Sequence, residues 1–322
     1  SFKMSWLKAN WNVICFWSAP TNYAPIMQNI SPMIDSYRKT VGVSLLQQSL
    51  RKMSDYHRKN NKNIDKLNAI DIGCGTGNYI KILNSLKGTI LPINIIGVDT
   101  NMEALDLGQH KMKEFGHKNI VWEHKDGLEM LRSLEDNSQH YIVINQVLHE
   151  MIDDDMDYTK VKDVIGECYR VLSDVGVLYI NHSNAEQIKA LWYSEYIPNG
   201  ISKVIGKYVE TDWIINEMLD NGFIDDGIVT QKIKEPLIET IYSMNFDFVK
   251  DPNWKYIDTI WNYVDENEYN ECIKQINCMS DEERYNVGKI SRNAMMNVGS
   301  STTIIGIKNF DLYREWIESN NQ

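Results

Sequence analysis

The sequence predicts an α/β protein built on one doubly wound sheet. From Lys66 onward, short apolar runs rich in β-branched residues alternate with helical patterns, which is typical of βαβ units. A glycine-rich turn, Asp71 to Gly77, lies directly between the first run and the helix that follows it. The chain has 322 residues, of which 43% are hydrophobic and 24% are charged. The composition is ordinary for a globular protein, and the length alone allows either two domains or one large α/β domain with additions.

The predicted strands and helices follow one another along the chain. Strands are predicted at 67–72, 93–98, 120–123, 141–148, 176–181, 228–233 and 302–307. Helices are predicted near 78–86, 102–115, 158–172 and 211–221, the last ending at Gly222. Leu46, Leu50 and Met53 recur at roughly helical spacing, so one or two helices are expected between residues 31 and 60.

The predicted sheet carries helical additions that cover one of its edges. We expect an N-terminal helical lid at 4–61 and a sheet domain at 62–310. Insertions at about 184–210 and 234–300, both rich in aromatic residues, interrupt that domain, and 311–322 is a C-terminal tail.

Composition excludes several classes of function. With 33 basic and 44 acidic side chains the net charge is −11, which disfavours a nucleic-acid or anionic-membrane partner. No apolar stretch is long enough for a membrane span. The five cysteines are scattered and include no Cys-x-x-Cys pair, so a reducing, cytoplasmic location is expected. No extended heptad pattern indicates an oligomeric state.

The glycine turn is suited to a ligand without phosphate. A dinucleotide fingerprint would place glycine at position 78, which is Asn78, and the Gly-Lys-Ser/Thr end of a P-loop is absent. Asp71 would repel a pyrophosphate, whereas it attracts the ammonium and sulfonium groups of S-adenosylmethionine. A glycine turn that binds nothing is the alternative.

Later strand ends fit the same cofactor. Asp99 closes the second strand, where a carboxylate can accept hydrogen bonds from ribose hydroxyls. Met102 lies against the adenine face or packs in the core. Asp126-Gly127, after the third strand, receives the adenine amine or forms a plain turn. Cys74 and Thr100 complete the predicted cofactor site.

Several motifs occur in order at the expected strand ends. They are Asp71 to Gly77, Asp99, Asp126-Gly127, Asn145 to Glu150, and Tyr169-Arg170-Val171-Leu172. In this arrangement, residues 62–182 resemble the class I S-adenosylmethionine-dependent methyltransferases.

The resemblance implies a Rossmann-like sheet of seven strands in the order 3-2-1-4-5-7-6. Strand seven, expected at 302–307, would be antiparallel. It also implies that the backbone at Asn145-Gln146 holds the methionine amino group. Cofactor roles are implied for Asp71, Gly73, Gly75, Gly77, Asp99 and Asp126.

His149, just past the fourth strand, is the candidate catalytic base. The carboxyl ends of strands in an open α/β sheet are where ligands bind, and histidine titrates near neutrality. The alternative is that His149 and Glu150 cap or pack the following loop. Tyr23, His182 and the Trp192-Tyr193 pair are candidates for the acceptor pocket, although most aromatic residues of the additions are expected to pack against one another.

Two other classes of site are disfavoured. Amino-methyltransferases that act on DNA bases carry an Asn/Asp-Pro-Pro-aromatic motif where this chain has Gln146-Val147. The aspartates at 153–155 and 157 are interpreted as a solvated run before a helix N-terminus, and no metal site is predicted.

The sequence therefore predicts an S-adenosylmethionine-dependent methyltransferase that acts on a small-molecule metabolite. The acceptor atom stays open among nitrogen, oxygen, sulfur and carbon. The alternatives are a protein or RNA methyltransferase and a non-catalytic scaffold that binds S-adenosylmethionine.

Overall fold

A computed structural model describes residues 40–60, 64–116, 119–234, 246, 259–311 and 314. Predictions that concern other residues lie outside this part of the chain. Among them are Tyr23, most of the expected lid and most of the expected tail.

The described residues form one seven-stranded sheet flanked by helices. The strands are β1 (Leu67–Ile72), β2 (Ile93–Asp99), β3 (Ile120–His124), β4 (Gln139–Asn145), β5 (Leu172–His182), β6 (Ile228–Ile233) and β7 (Ser301–Ile307). The helices are α1 (Val43–Asn60), α2 (Asn78–Ser85), α3 (Met102–Glu114), α4 (Gly127–Ser133), α5 (Thr159–Val171), α6 (Ala185–Lys189), α7 (Pro198–Val204), α8 (Thr211–Asp220), α9 (Glu266–Cys278) and α10 (Asp281–Val298).

The strand order is β3-β2-β1-β4-β5-β7-β6, which confirms the predicted order. Strands β1 to β5 pair in parallel, and β1 lies between β2 and β4. Strand β7 runs antiparallel to β5, with Thr302 opposite His182. The carboxyl ends of β1, β2 and β4 therefore meet at one edge of the sheet, which is where the predicted cofactor residues lie.

The predicted fourth strand was wrong at its end. It was expected to reach residue 148, but β4 ends at Asn145. Gln146 adopts a left-handed backbone conformation with φ 51°, and a 3₁₀ turn, Leu148–Met151, follows. The apolar residues Val147 and Leu148 extend the strand pattern in the sequence, although the backbone has already turned.

Both faces of the sheet are covered by apolar side chains. On one face, Leu46 and Leu50 of α1 pack with Tyr141 and Tyr179 of the sheet. On the other face, α4, α5 and α8 contribute buried residues such as Leu131, Val164 and Ile214. Each fully buried leucine or isoleucine contributes roughly 1.5–3 kcal/mol relative to an exposed one. These contacts hold the central strands in place beneath the site.

The chain divides into two compact units. The described part of the sheet unit lies within Gly42–His182, Val209–Gln231 and Thr302–Gln322. The described part of the other unit, here called the helical unit, lies within Ser183–Tyr208 and Lys232–Ser301. Helix α1 thus lies in the sheet unit although it falls within the range expected for the lid. The domain limits expected from the sequence stay a prediction.

A buried histidine pair joins α1 to β4. The rings of His57 and His140 meet edge to face, with centroids 5.1 Å apart. Nδ1 of His140 accepts the backbone N–H of Asn68 at 3.0 Å, so that nitrogen carries no proton. Burial lowers the pKa of both histidines, and the neighbouring His57 contributes to lowering the pKa of His140 to about 4. The pair is therefore neutral in the folded protein at neutral pH.

This pair predicts that the fold loses stability in mild acid. The pKa of His140 is lowered from 6.5 to about 4 by folding, so its contribution is fully present above pH 6.5 and is lost as the pH falls towards 4. From His140 alone, we expect the free energy of unfolding to fall by about 2 kcal/mol between about pH 7.5 and about pH 5. Denaturant unfolding at both pH values measures this change. The variant His140→Gln keeps an acceptor for Asn68 but does not titrate; an equal loss of stability in this variant would contradict the prediction.

Candidate active site

The glycine turn after β1 is tightly wound and closely packed. Gly73 and Gly77 have φ values of 67° and 84°, in the left-handed region that favours glycine. A Cβ atom on Gly73 would lie 2.5 Å from Cγ2 of Val147, and one on Gly77 would lie 2.7 Å from the ring of Trp122. The turn therefore excludes side chains at these positions, and it leaves its backbone open to close approach by a ligand.

Asp99, the last residue of β2, fastens the glycine turn. Its carboxylate accepts the backbone N–H of Gly75 at 2.7 Å and that of Asn101 at 2.8 Å. Burial raises the pKa of Asp99, although the bonds from backbone N–H groups oppose this effect. Thus the residue predicted to meet the ribose also holds the turn in place, and its carboxylate oxygens retain lone pairs for further hydrogen bonds.

Asp71, near the end of β1, is a buried carboxylate with an unused acceptor. Its side chain is 2% exposed, and Oδ2 has no hydrogen-bond partner among the described residues. Burial raises the pKa of Asp71 well above its usual range, and the nearby Asp99 raises it further. A buried carboxylate in this state is stabilised by the arrival of a cation.

A second buried acceptor lies on the neighbouring strand. Oδ1 of Asn145, at the end of β4, also lacks a hydrogen-bond partner in the described part of the chain. Ile72 of β1 is paired with Ile144 of β4, so Asn145 stands at the same edge as the start of the glycine turn. Two acceptors and a close-packed glycine turn fit the cationic, hydrogen-bond-donating end of S-adenosylmethionine.

Asp126 is already engaged by the protein. Its Oδ1 caps α4 by accepting the N–H groups of Leu128 and Glu129. Its Oδ2 lies 2.7 Å from Nζ of Lys160. Burial is the largest single influence and raises the pKa of Asp126, but the bonds from Lys160 and the helix N–H groups outweigh it and lower the pKa overall. Whether this carboxylate also receives the adenine amine stays a prediction.

The remaining residues predicted to contact adenosine surround the ends of β2 and β3. Met102, the first residue of α3, is 50% exposed and therefore is not a core residue. The carbonyl of Thr100 lies 2.9 Å from Nε2 of His124. Gly127 is packed so tightly that a Cβ atom would lie 2.5 Å from Ile72. Cys74 is buried in the turn itself, and its backbone N–H donates to Val98.

His149 lies on the 3₁₀ turn that follows β4. Its side chain is mostly buried, and Nε2 is 3.3 Å from a carboxylate oxygen of Glu150. His182, at the end of β5, is also buried, with Nε2 3.2 Å from the hydroxyl of Thr211. Both histidines belong to the sheet unit. His182 is the last residue of β5, and His149 follows the carboxyl end of the adjacent parallel strand β4.

Trp192 and Tyr193 lie in the helical unit and are buried there. The ring of Trp192 is 4.3 Å from that of Phe246, and the ring of Tyr193 is 5.2 Å from that of Trp261. The two residues thus take part in aromatic packing within their own unit. Their role in an acceptor pocket stays a prediction.

Sequence reasoning missed a polar network behind Gln146. Its backbone N–H donates to the carbonyl of Asn181 at 2.7 Å, and its side-chain amide donates to Oδ1 of Asn181 at 2.9 Å. Asn181 in turn donates to the hydroxyl of Thr303 at 2.9 Å. One signal was available: Asn181 is a polar residue within the apolar run of β5.

The described residues contain no group of three or more His, Cys, Asp or Glu side chains that could hold a metal ion. Across the same part of the chain, the helices all fall short of the length and hydropathy that a bilayer crossing requires.

Known proteins share this domain. Residues 63–221 match the family described as a methyltransferase domain. An uncharacterised protein of Methanocaldococcus jannaschii is 24% identical over 196 residues, which are 58% of this chain and 68% of that protein. A candidate methyltransferase from an antibiotic biosynthesis pathway of Anabaena variabilis has a TM-score of 0.55 and 11% identity, covering 82% of this chain and 95% of that chain. That structure supports the fold, and the family match supports the methyltransferase class.

The buried state of Asp71 predicts opposite effects of Asp71→Asn on stability and binding. A raised pKa in the folded state means that stability is lost as the pH rises above the ordinary value of 3.8, because folding must then either bury a charge or take up a proton. The variant does not titrate and avoids this cost, so we expect its ligand-free form to unfold at higher temperature than the wild type at neutral pH. We also expect the dissociation constant for S-adenosylhomocysteine to rise about tenfold or more, as one charge-assisted hydrogen bond is lost.

Thermal unfolding and titration calorimetry measure the two effects. Asp106→Asn, on an exposed position of α3, is the matched control and should change neither. Unchanged ligand affinity in Asp71→Asn would remove Asp71 from the cofactor site.

Proposed function

We propose that this protein methylates a small-molecule metabolite. It is a class I S-adenosylmethionine-dependent methyltransferase, and its residues 63–221 match the methyltransferase domain family. The bound cofactor supplies an electrophilic methyl group on its sulfonium. The protein binds both reactants and aligns the acceptor for in-line displacement, which provides much of the acceleration.

The proposed location of the site rests on one observation: Oδ2 of Asp71, beside the glycine turn, is a buried acceptor without a hydrogen-bond partner among the described residues. A carboxylate that is 2% exposed and lacks a hydrogen-bond partner among the described residues is unfavourable unless a cationic donor approaches it. The methionine end of the cofactor has an ammonium group with three donors. Asp71 and Asn145 are thus proposed to orient this end, while Asp99 binds the ribose.

The chain just after His149 supports a small acceptor over a nucleic acid. Glu150, the aspartates at 153–155 and Asp157 are all exposed and follow directly on the 3₁₀ turn that carries His149. A local concentration of negative charge repels the phosphates of RNA or DNA. A neutral or cationic metabolite approaches such a surface without this penalty.

Fractionated cell extract tests the acceptor class. Purified protein and S-adenosylmethionine are incubated with a low-molecular-mass ultrafiltrate or with the desalted macromolecular fraction of the same extract, and S-adenosylhomocysteine is quantified. We expect formation to rise above the no-acceptor background with the ultrafiltrate only. Turnover confined to the macromolecular fraction would instead support a protein or RNA methyltransferase. Binding of S-adenosylhomocysteine with no turnover on either fraction would support a non-catalytic scaffold.

His149 is the proposed base for an acceptor that must lose a proton. Its mostly buried imidazole lies at the end of β4, where the acceptor would approach, and Glu150 lies within 3.3 Å of Nε2. We expect His149→Gln to lower turnover by ~100-fold while leaving the dissociation constant for S-adenosylhomocysteine unchanged, since general base catalysis contributes ~10²–10⁴. Initial rates with the active fraction and calorimetry measure the two quantities.

His110→Gln provides the matched histidine control for this prediction. His110 is an exposed residue of α3 whose ring lies 3.7 Å from Glu114 of the same helix, and the variant should keep turnover close to wild type. Near-normal turnover in His149→Gln would exclude the role of a base.

A further inference from the structure

Gln146 adopts a backbone conformation that its side chain disfavours. Its φ of 51° lies in the left-handed region, which is unfavourable for a residue with a Cβ because the Cβ approaches the following carbonyl oxygen. The residue stands at the junction between β4 and the 3₁₀ turn that carries His149. Such a conformation persists only where neighbouring contacts hold it.

Asn181 on β5 provides two of these contacts. Its backbone carbonyl accepts the N–H of Gln146 at 2.7 Å, and its side-chain Oδ1 accepts the side-chain amide of Gln146 at 2.9 Å. The first bond positions the backbone of Gln146, and the second holds its side chain against Asn181. Asn181 thus holds both the backbone and the side chain of Gln146.

Thr303 on β7 orients the amide of Asn181. The amide nitrogen of Asn181 donates to the threonine hydroxyl at 2.9 Å, which leaves the amide oxygen directed to Gln146. Asn181 and Thr303 are both fully buried. Thr303 also forms a hydrogen bond with Tyr179 of β5. A buried amide whose donor and acceptor are both engaged is fixed in one orientation.

The left-handed residue in turn positions both parts of the site. Val147, which follows it, packs against Gly73 so closely that a Cβ atom on the glycine would lie 2.5 Å away. Asn145, which precedes it, presents the buried Oδ1 acceptor at the end of β4. A change at Gln146 would therefore move the glycine turn and the Asn145 acceptor relative to each other.

We propose that Asn181 is a positioning residue, which with Thr303 holds the left-handed turn at Gln146 in the geometry that binds the methionine end of the cofactor. This inference rests on the proposed cofactor site at Asp71 and Asn145. Asn181 acts through Gln146 and does not itself contact the reacting atoms.

Calorimetric titration with S-adenosylhomocysteine tests this inference without an acceptor. Asn181→Leu has nearly the same volume but no amide, and Thr303→Val removes the hydroxyl while keeping the shape. We expect the dissociation constant to rise about tenfold in the first variant and about threefold to tenfold in the second, because each lost hydrogen bond changes affinity by this order. Thr303→Ser retains the hydroxyl and should bind like the wild type.

A rescue variant separates positioning from simple packing. Glycine adopts left-handed conformations without the penalty of a Cβ, so Gln146→Gly in the Asn181→Leu background should recover at least half of the lost affinity on a logarithmic scale. If Asn181 only filled the core, this second substitution would recover nothing. Circular dichroism of each variant establishes that it is folded, and the two Thr303 variants decide the question if Asn181→Leu does not fold.

Asn94→Leu is the matched control. Asn94 is also a strand asparagine with a side-chain hydrogen bond, to Asn68, but it lies near the amino end of β2. The Asn94→Leu variant should bind S-adenosylhomocysteine with the affinity of the wild type. Wild-type affinity in folded Asn181→Leu, or in Thr303→Val if the former does not fold, would overturn the inference. The proposed cofactor site itself would fail separately, through unchanged affinity in Asp71→Asn.

Discussion

The burial of the Asp71 carboxylate is the constraint on which the site depends. β1 lies between β2 and β4, with apolar side chains packed on both faces of the sheet, so Asp71 is removed from water almost completely. The pKa of this carboxyl is consequently raised, and one of its oxygens has no partner within the described residues. Burial of this carboxylate costs stability, and this cost is the reason for proposing that a cationic ligand binds here.

Tight backbone turns maintain this arrangement. Gly73 packs against Val147, and two hydrogen bonds that Gln146 donates to Asn181 hold Gln146 in a left-handed conformation. Asp99 fixes the glycine turn from β2. Both loops are attached to neighbouring parallel strands, β1 and β4, whose pairing fixes where the two loops begin.

The fold places the acidic residues of the chain in three different surroundings. Asp71 is buried beside a glycine turn, whereas the carboxylate of Asp126 is compensated by Lys160 and by the N-terminus of α4. The exposed acids at 150–157 follow His149, on and after the 3₁₀ turn that succeeds β4. The acidic residues behind the net charge of −11 thus differ in their surroundings: Asp71 is uncompensated, Asp126 is paired and caps a helix, and the exposed acids form a surface that repels anions.

The sequence by itself determined the sheet, its strand order through family resemblance, and the glycine turn with Asp71 and Asp99 at the strand ends. The sheet and the turn follow from local hydrophobic periodicity and from the glycine-rich sequence, whereas the strand order was implied by the resemblance alone. Only the tertiary structure decided where β4 ends, the conformation of Gln146 and the role of Asn181. The hydrogen bond from Asn181 to Thr303 joins residues 122 positions apart, on strands that become neighbours only when the sheet has formed. The local sequence does not predict such a contact, because the residue that stabilises the turn comes close to it only when the fold has formed.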